Sequence, residues 1–129
     1  MRRTERAREF TVEEANALLP QLRELLRRIQ QEGRRQRAMG DEIRRAAAKG
    51  NLGGGSRGGA CYVESLLRMK GLIGEIHALG VEMKDLNRGL CDFLHRRGDR
   101  LVYLCWRPGE ERVGYWHELN AGFMGRRPL

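Results

Sequence analysis

The stretch LCWRPGEERVGYWHELNAGF, residues 104–123, decides the fold, and it contains four aromatic side chains and one histidine. Together with the preceding residues it is rich in Val, Tyr and Trp and alternates with a period of two, which is typical of β-strands. Before Gly80, the apolar residues instead recur with a helical period. The change of period at Gly80 predicts an α+β fold in which helices precede a small antiparallel sheet.

The first helix is expected at 10–48. Thr11 and Glu14 have the spacing of a capping box, in which each side chain bonds a backbone amide of the first turn. A buried seam with spacing 4-3-4-3 then follows, formed by Ala15, Leu19, Leu22, Leu26 and Ile29. Because the seam keeps its phase across Pro20, we expect a kink there. The alternative is a short helix 11–19 followed by a second helix with Pro20 in its first turn.

The second helix is expected at 60–80, after a glycine-rich loop at 49–59 that contains six glycines in eleven residues. Its apolar stripe again has 4-3-4-3 spacing and consists of Tyr62, Leu66, Met69, Ile73 and Ile76. A loop that simply reverses the chain would make the two helices a long antiparallel hairpin.

Residues 81–119 are expected to form an antiparallel β-meander of three to four strands, followed by a tail at 120–129. With a basic arm at 1–9, the whole chain makes a single domain, 1–129. We expect Val102 to pair with Phe93 and with His117, which places Phe93 and His117 on one face and Asp92 and Cys105 on the other. The hairpin can cover the first face. The second face needs the tail, a partner subunit or a ligand.

Three sets of residues are candidates for a functional site. A metal site of the type that has three protein ligands would use Cys91, His95 and His117. An anion or small-ligand site on the second face would use Asp92, Arg107, Glu110, Trp116 and Glu118. Binding of nucleic acid would use the Arg-rich first helix, through Arg27, Arg34, Arg35 and Arg37.

Composition limits the possible functions. The net charge is +8, but residues of the opposite sign lie among the arginines of the first helix, so that a solvated helix face is expected and nucleic-acid binding is not. Three cysteines without a CxxC pair do not predict a disulfide framework or a four-thiolate zinc site. The basic start lacks the apolar segment of a signal peptide, and no run is apolar enough to cross a membrane, so we expect a cytoplasmic protein.

The two ends of the chain resemble a bacterial family catalogued as domain of unknown function 2203. The resemblance rests on FTVEEANALLPQL near the start and on KDLNRGLCDF and YLCWRPGEERVGYWHELNAGFMGRRPL towards the end. It covers about half of the chain. It implies a small cytoplasmic prokaryotic protein and supplies no activity and no site residues.

These observations together predict a non-enzymatic binding or scaffolding module that acts through its helical hairpin and an aromatic sheet face, without a cofactor. Additional apolar positions beside both helical seams predict a homodimer, with a further protein partner as an open possibility. The alternative is an enzyme or sensor with a metal or anion site on the C-terminal sheet.

Overall fold

The computed structural model describes residues 7–50 and 57–129. The helices are α1 (Val12–Ala17), α2 (Leu19–Ala48) and α3 (Arg57–Ala78). The strands are β1 (Glu82–Asp85), β2 (Leu90–Arg97), β3 (Arg100–Trp106), β4 (Tyr115–His117) and β5 (Arg127–Pro128). The chain is therefore α+β, with helices followed by an antiparallel sheet. It divides into two compact units, one of which is Leu25–Glu75, while the other joins the residues up to Glu24 with Ile76–Leu129.

The start of the first helix confirms the capping box. The Thr11 hydroxyl accepts the amide of Glu14 at 3.0 Å, and the Glu14 carboxylate accepts the amide of Thr11 at 2.8 Å. A single helix kinked at Pro20 is nevertheless not confirmed. The helix is interrupted at Leu18, and Pro20 lies in the first turn of α2, where a residue without an N–H loses no helical hydrogen bond. The predicted seam is buried at all five positions, Ala15, Leu19, Leu22, Leu26 and Ile29.

In the Leu25–Glu75 unit, a buried carboxylate determines which face of α3 is covered. The Ser65 hydroxyl donates a 2.7 Å hydrogen bond to Glu32, and the Arg68 guanidinium donates one of 3.0 Å to the same carboxylate. Ser65 is fully buried and Leu66 is 44% exposed, so the predicted stripe is wrong at Leu66. The reason is that a buried carboxylate needs hydrogen-bond donors, which leucine cannot supply.

Two predicted segments lie partly outside the described residues. They are the basic arm, of which 1–6 is not described, and the glycine-rich loop, of which 51–56 is not described. The loop is also shorter than predicted, because α3 begins at Arg57. Among the helices in the described ranges, none combines the length and the hydropathy that crossing a membrane requires.

The sheet is a meander with strand order β1-β2-β3-β4-β5. Its five strands exceed the three to four predicted because the tail contributes β5, which pairs with β4. The β2–β3 loop is only two residues long and uses Gly98, whose φ of +64° suits a tight hairpin turn. Phe93 therefore lies opposite Leu104 instead of Val102. This shift of two residues leaves every side chain on its predicted face.

Between β3 and β4, by contrast, the register differs from the prediction by one residue. Tyr103 pairs with His117, and Leu104 pairs with Trp116. A shift of one residue exchanges the two faces of a strand. Trp116 therefore joins Phe93 and Leu104 on the first face, and His117 lies on the second face.

The first face of the sheet is covered by residues from the start of the chain. The Phe10 ring packs edge-on against Phe93 with centroids 5.3 Å apart, and its amide donates to the Leu94 carbonyl at 2.7 Å. The Asn16 side chain accepts the amide of Val113 at 2.8 Å. These bonds satisfy backbone groups at both ends of the covered face, so α1 is held on the sheet by polar as well as apolar contacts.

Candidate metal centre

Three buried polar side chains meet on the second face of the sheet. Asp92 on β2 lies directly opposite Cys105 on β3, and His117 on β4 lies opposite Tyr103, two residues from Cys105 along β3. One ligand atom from each of these residues lies within 4.8 Å of the other two. The residues are 2%, 1% and 3% exposed, respectively. A carboxylate, a thiol and an imidazole, all three of which are groups that bind metals, therefore converge in the interior.

The hydrogen bonds of His117 define its tautomer. Its Nδ1 lies 2.8 Å from the carbonyl oxygen of Glu118, and because a carbonyl only accepts, Nδ1 carries a hydrogen. Its Nε2 lies 3.1 Å from Oδ2 of Asp92. One further proton therefore lies between Nε2 and Oδ2. If a cation replaces that proton, Nε2 presents a lone pair and the carboxylate a negative charge. Metal-binding histidines commonly have this arrangement, with the second ring N–H donated to a carbonyl.

Burial raises the pKa values of both acidic groups of the cluster. It raises the pKa of Asp92, although the neighbouring His117 opposes this effect. Burial, together with the nearby Asp92 charge, raises the pKa of the Cys105 thiol to about 12. This thiol hydrogen-bonds to Asp92, and both ring nitrogens of His117 have other partners. The cluster is therefore not a Cys–His nucleophile pair, which requires the imidazole to take the thiol proton.

Side chains from β1 and β3 flank the cluster. Glu82 lies directly opposite Asp92, and Tyr103 directly opposite His117. The Tyr103 hydroxyl donates a 2.6 Å hydrogen bond to Glu82, and the Lys84 ammonium lies 3.0 Å from the same carboxylate. Burial raises the pKa of Glu82, but these two hydrogen bonds outweigh it, and the net pKa lies below the usual value. Glu82 is thus an anion one strand away from the cluster.

The predicted metal set is not brought together. Cys91 is buried on the first face, where its thiol donates to the Gly89 carbonyl at 3.5 Å. Nδ1 of His95 lies 2.7 Å from the carbonyl oxygen of Phe10. His117 lies on the other face. The expectation that the three residues share a face fails because of the one-residue difference in the β3–β4 register.

The predicted small-ligand set is also dispersed. Asp92 bonds His117, and Glu118 accepts two hydrogen bonds from Arg100, at 3.1 and 3.2 Å. Trp116 is buried on the first face. Arg107 and Glu110 do lie together, in the turn after β3, where the Glu110 carboxylate accepts the backbone amide of Arg107 at 3.0 Å.

The four arginines of the predicted nucleic-acid surface are all exposed on α2. Arg35 is paired with the buried Glu32, with 2.9 Å between Nη1 and the carboxylate. Arg35 therefore helps to neutralise a buried carboxylate of its own unit. Arg27, Arg34 and Arg37 stay on the solvated face that the mixed charges of α2 predicted.

The family model described as uncharacterised conserved protein, domain of unknown function 2203, matches residues 8–129. The chain belongs to this family. The match extends the resemblance seen at the two ends through the helices and the whole sheet, and Asp92, Cys105 and His117 of this chain lie within the matched range. No curated protein and no solved structure matches the chain.

Sequence reasoning placed two members of the cluster in different candidate sets and omitted Cys105. The residue that could have indicated that Asp92, Cys105 and His117 lie together is Trp116. A large apolar side chain belongs on the covered face beside Phe93 and Leu104, and placing it there turns His117 towards Asp92.

Proposed function

We propose that the chain binds a divalent metal ion of the zinc class through Asp92, Cys105 and His117. The observation that supports the proposal is the convergence of three buried ligand atoms within 4.8 Å, with the Nδ1 hydrogen of His117 donated to a carbonyl. Tetrahedral zinc separates its ligand atoms by about 3.3–3.8 Å, given metal–ligand distances near 2.0–2.3 Å. Small side-chain movements would bring the three atoms to that separation.

The mixture of ligand atoms determines the class of ion. A thiolate and an imidazole favour zinc and similar borderline metals, whereas calcium and magnesium prefer sites built from oxygen alone. Binding has to displace the Cys105 thiol proton and the proton shared by Asp92 and His117. The positive charge of the ion then replaces the hydrogen bonds that these protons made.

The burial of the cluster supports a structural or sensing role for the ion. A catalytic metal keeps one coordination position open to water or substrate. Here the three residues leave the fourth position of a tetrahedral ion unfilled, but all three are at most 3% exposed, so little water or substrate would reach it. The proposed function is therefore a small bacterial cytoplasmic binding module whose sheet is stabilised by its metal.

Cobalt titration monitored by absorbance tests this proposal. Cobalt bound by a thiolate gives a charge-transfer band in the near ultraviolet, and we expect that band in the unmodified protein. Cys105→Ser should remove it. The matched control is Cys91→Ser, which changes an equally buried cysteine on the opposite face of the sheet and should retain it. Saturation without the band, or loss of the band in both variants, would contradict the assignment.

A second candidate function is self-association through α3, in which the helices act as a hairpin scaffold. Val63, Leu66 and Leu67 are 54%, 44% and 62% exposed along one side of this helix. Of the additional apolar positions beside the two helical seams, Leu25 and Leu72 are buried within the single chain, whereas Leu18 and Leu79 are half-buried. This candidate therefore uses the side of α3 that carries Val63, Leu66 and Leu67.

The charges on α3 favour a second copy of the chain as the partner. Glu64 lies next to Val63 and 4.0 Å from Arg68 of the same helix, and Lys70 lies three residues after Leu67. When two copies pair antiparallel about a two-fold axis, the Glu64 of each helix approaches the Lys70 of the other. Light scattering coupled to gel filtration should give twice the monomer mass of 14.8 kDa. Leu67→Glu should give the monomer, whereas Leu86→Glu, at another exposed leucine in the β1–β2 turn, should not.

A further inference from the structure

The ring of Phe123 lies among three guanidinium groups. A short 3-10 turn at Phe123–Gly125 begins with this residue. The Cζ atoms of Arg126, Arg107 and Arg88 lie 4.6, 5.3 and 5.9 Å from the centre of the ring. These residues come from the segment before β5, the end of β3 and the turn before β2. The sheet topology brings all three to the same end of the sheet.

The acidic side chains near this group do not balance it. Glu110 accepts a 2.7 Å hydrogen bond from Arg126 Nη2 and also bonds the backbone amide of Arg107. Asp85 lies 3.8 Å from Arg88 Nε, while its other oxygen accepts the Asn87 and Arg88 amides. Within the described residues, the Arg107 guanidinium donates no hydrogen bond to the protein. Its donors are therefore available to a ligand.

Arg126 provides a second, independent observation. Its side chain is 10% exposed, and its guanidinium lies over the Tyr115 ring at 4.1 Å as well as over Phe123. One Nη2 bond goes to Glu110 and another, of 3.2 Å, to the carbonyl of Cys105. Its Nε is buried and has no hydrogen-bond partner among the described residues. A buried donor without an acceptor is uncommon in native proteins, and an anion would reach this one only after the side chains around it move.

We propose that the arginine cluster, defined as Arg88, Arg107 and Arg126 around Phe123, binds an oxyanion of the phosphate class. A phosphate has enough acceptor oxygens and negative charge to pair with more than one guanidinium, whose planar donors match it in bidentate geometry. Phe123 adds an apolar surface beside the anion. The preferred ligand is therefore a phosphate monoester with an aromatic or apolar substituent.

Isothermal titration with inorganic phosphate and with phenyl phosphate tests this inference, at constant ionic strength and in the presence of a chelator. The chelator makes the result independent of the metal proposal. We expect saturable binding of both compounds, with phenyl phosphate the tighter because its ring can contact Phe123. Arg107→Gln should weaken both by about tenfold or more, because it removes a charge-assisted contact. The fold should be unchanged, since the Arg107 side chain donates no hydrogen bond to the described protein.

The matched control is Arg97→Gln, which removes the same charge from a guanidinium that lies 4.4 Å from the Trp116 ring. This variant should leave the affinities for both compounds within about twofold of those of the unmodified protein. The lost charge acts on the site only through long-range electrostatics, which salt screens. Absence of saturable phosphate binding, or an equal loss in the two variants, would overturn the proposal. Phenyl phosphate that binds no tighter than inorganic phosphate would exclude Phe123 from the site.

Discussion

His117 lies directly opposite Tyr103 on the neighbouring strand, and its imidazole therefore shares a sheet face with Asp92 and Cys105. Trp116, one residue earlier, faces the other way and is buried beside Leu104. The tryptophan and the histidine are thus coupled, because burying one on the covered face turns the other into the cluster. The register of the short strand β4 against β3 therefore brings His117 into the candidate centre.

Replacing Asp92 by alanine should destabilise the metal-free protein by about 3 kcal/mol, because it leaves the Nε2 of His117 buried without its partner. Urea denaturation in the presence of a chelator measures this difference. The control is Asp41→Ala, which breaks an exposed ion pair with Arg44 and should cost less than about 1 kcal/mol. Similar losses in the two variants would contradict the account of a buried, mutually dependent pair.

The stability of the Leu25–Glu75 unit should depend on pH through Glu32. Hydrogen bonds from Arg68 and Ser65 lower the pKa of Glu32, so the folded protein holds this proton less tightly than the unfolded chain does. The contribution of Glu32 to the free energy of unfolding is complete above the pKa of a glutamate in the unfolded chain, about 4.3. It disappears as the pH falls through the lower folded pKa.

Urea denaturation of the unmodified protein and of Glu32→Gln, from pH 7 down to about pH 2, measures this dependence. The difference between them should be about 1–3 kcal/mol at pH 7, because charged hydrogen bonds are lost, and should shrink at low pH. Glu42→Gln, at an exposed position of the same helix, serves as the control and should change stability little. A Glu32→Gln difference that is constant with pH would show that the carboxylate charge is not responsible.

The two-residue turn between β2 and β3 should depend on glycine at position 98. Its φ of +64° is one that side chains rarely adopt, although nothing lies within 4 Å of an added Cβ. Gly98→Ala should therefore cost about 1–2 kcal/mol through backbone strain alone. Gly122→Ala is the control, since that position is equally open but has a φ of −128°. Thermal denaturation that ranks Gly122→Ala as the more damaging change would contradict this assignment.

Local features of the fold could be predicted from the sequence because they depend on neighbouring residues. The capping box and the seam from Ala15 to Ile29 are read from positions three or four residues apart, and the structure confirms them. The buried Ser65–Glu32 pair could not be predicted, because its two members are 33 residues apart. The helical period of α3 predicts that Leu66 is buried. It carries no information about Glu32, which lies on another helix and requires Ser65 in that place.

The candidate centre was missed for a related reason. Assigning Asp92 and Cys105 to one face required the alternation within β2 and β3 and a predicted register that was off by an even number of residues, and the structure confirms that assignment. Placing His117 required the length of the turn between β3 and β4, which spans Arg107 to Gly114. Gly109, with a φ of +101°, and Pro108 lie in that turn and permit several loop lengths. The pattern therefore did not determine the register.

Elemental analysis of the protein, purified without a metal-affinity tag, tests the central claim most directly. The account predicts about one equivalent of zinc or a similar divalent transition metal per chain. It also predicts that His117→Gln loses the metal while His95→Gln, at the histidine bonded to Phe10, retains it. A folded protein that contains no metal, and takes up none when zinc is supplied, would contradict the account.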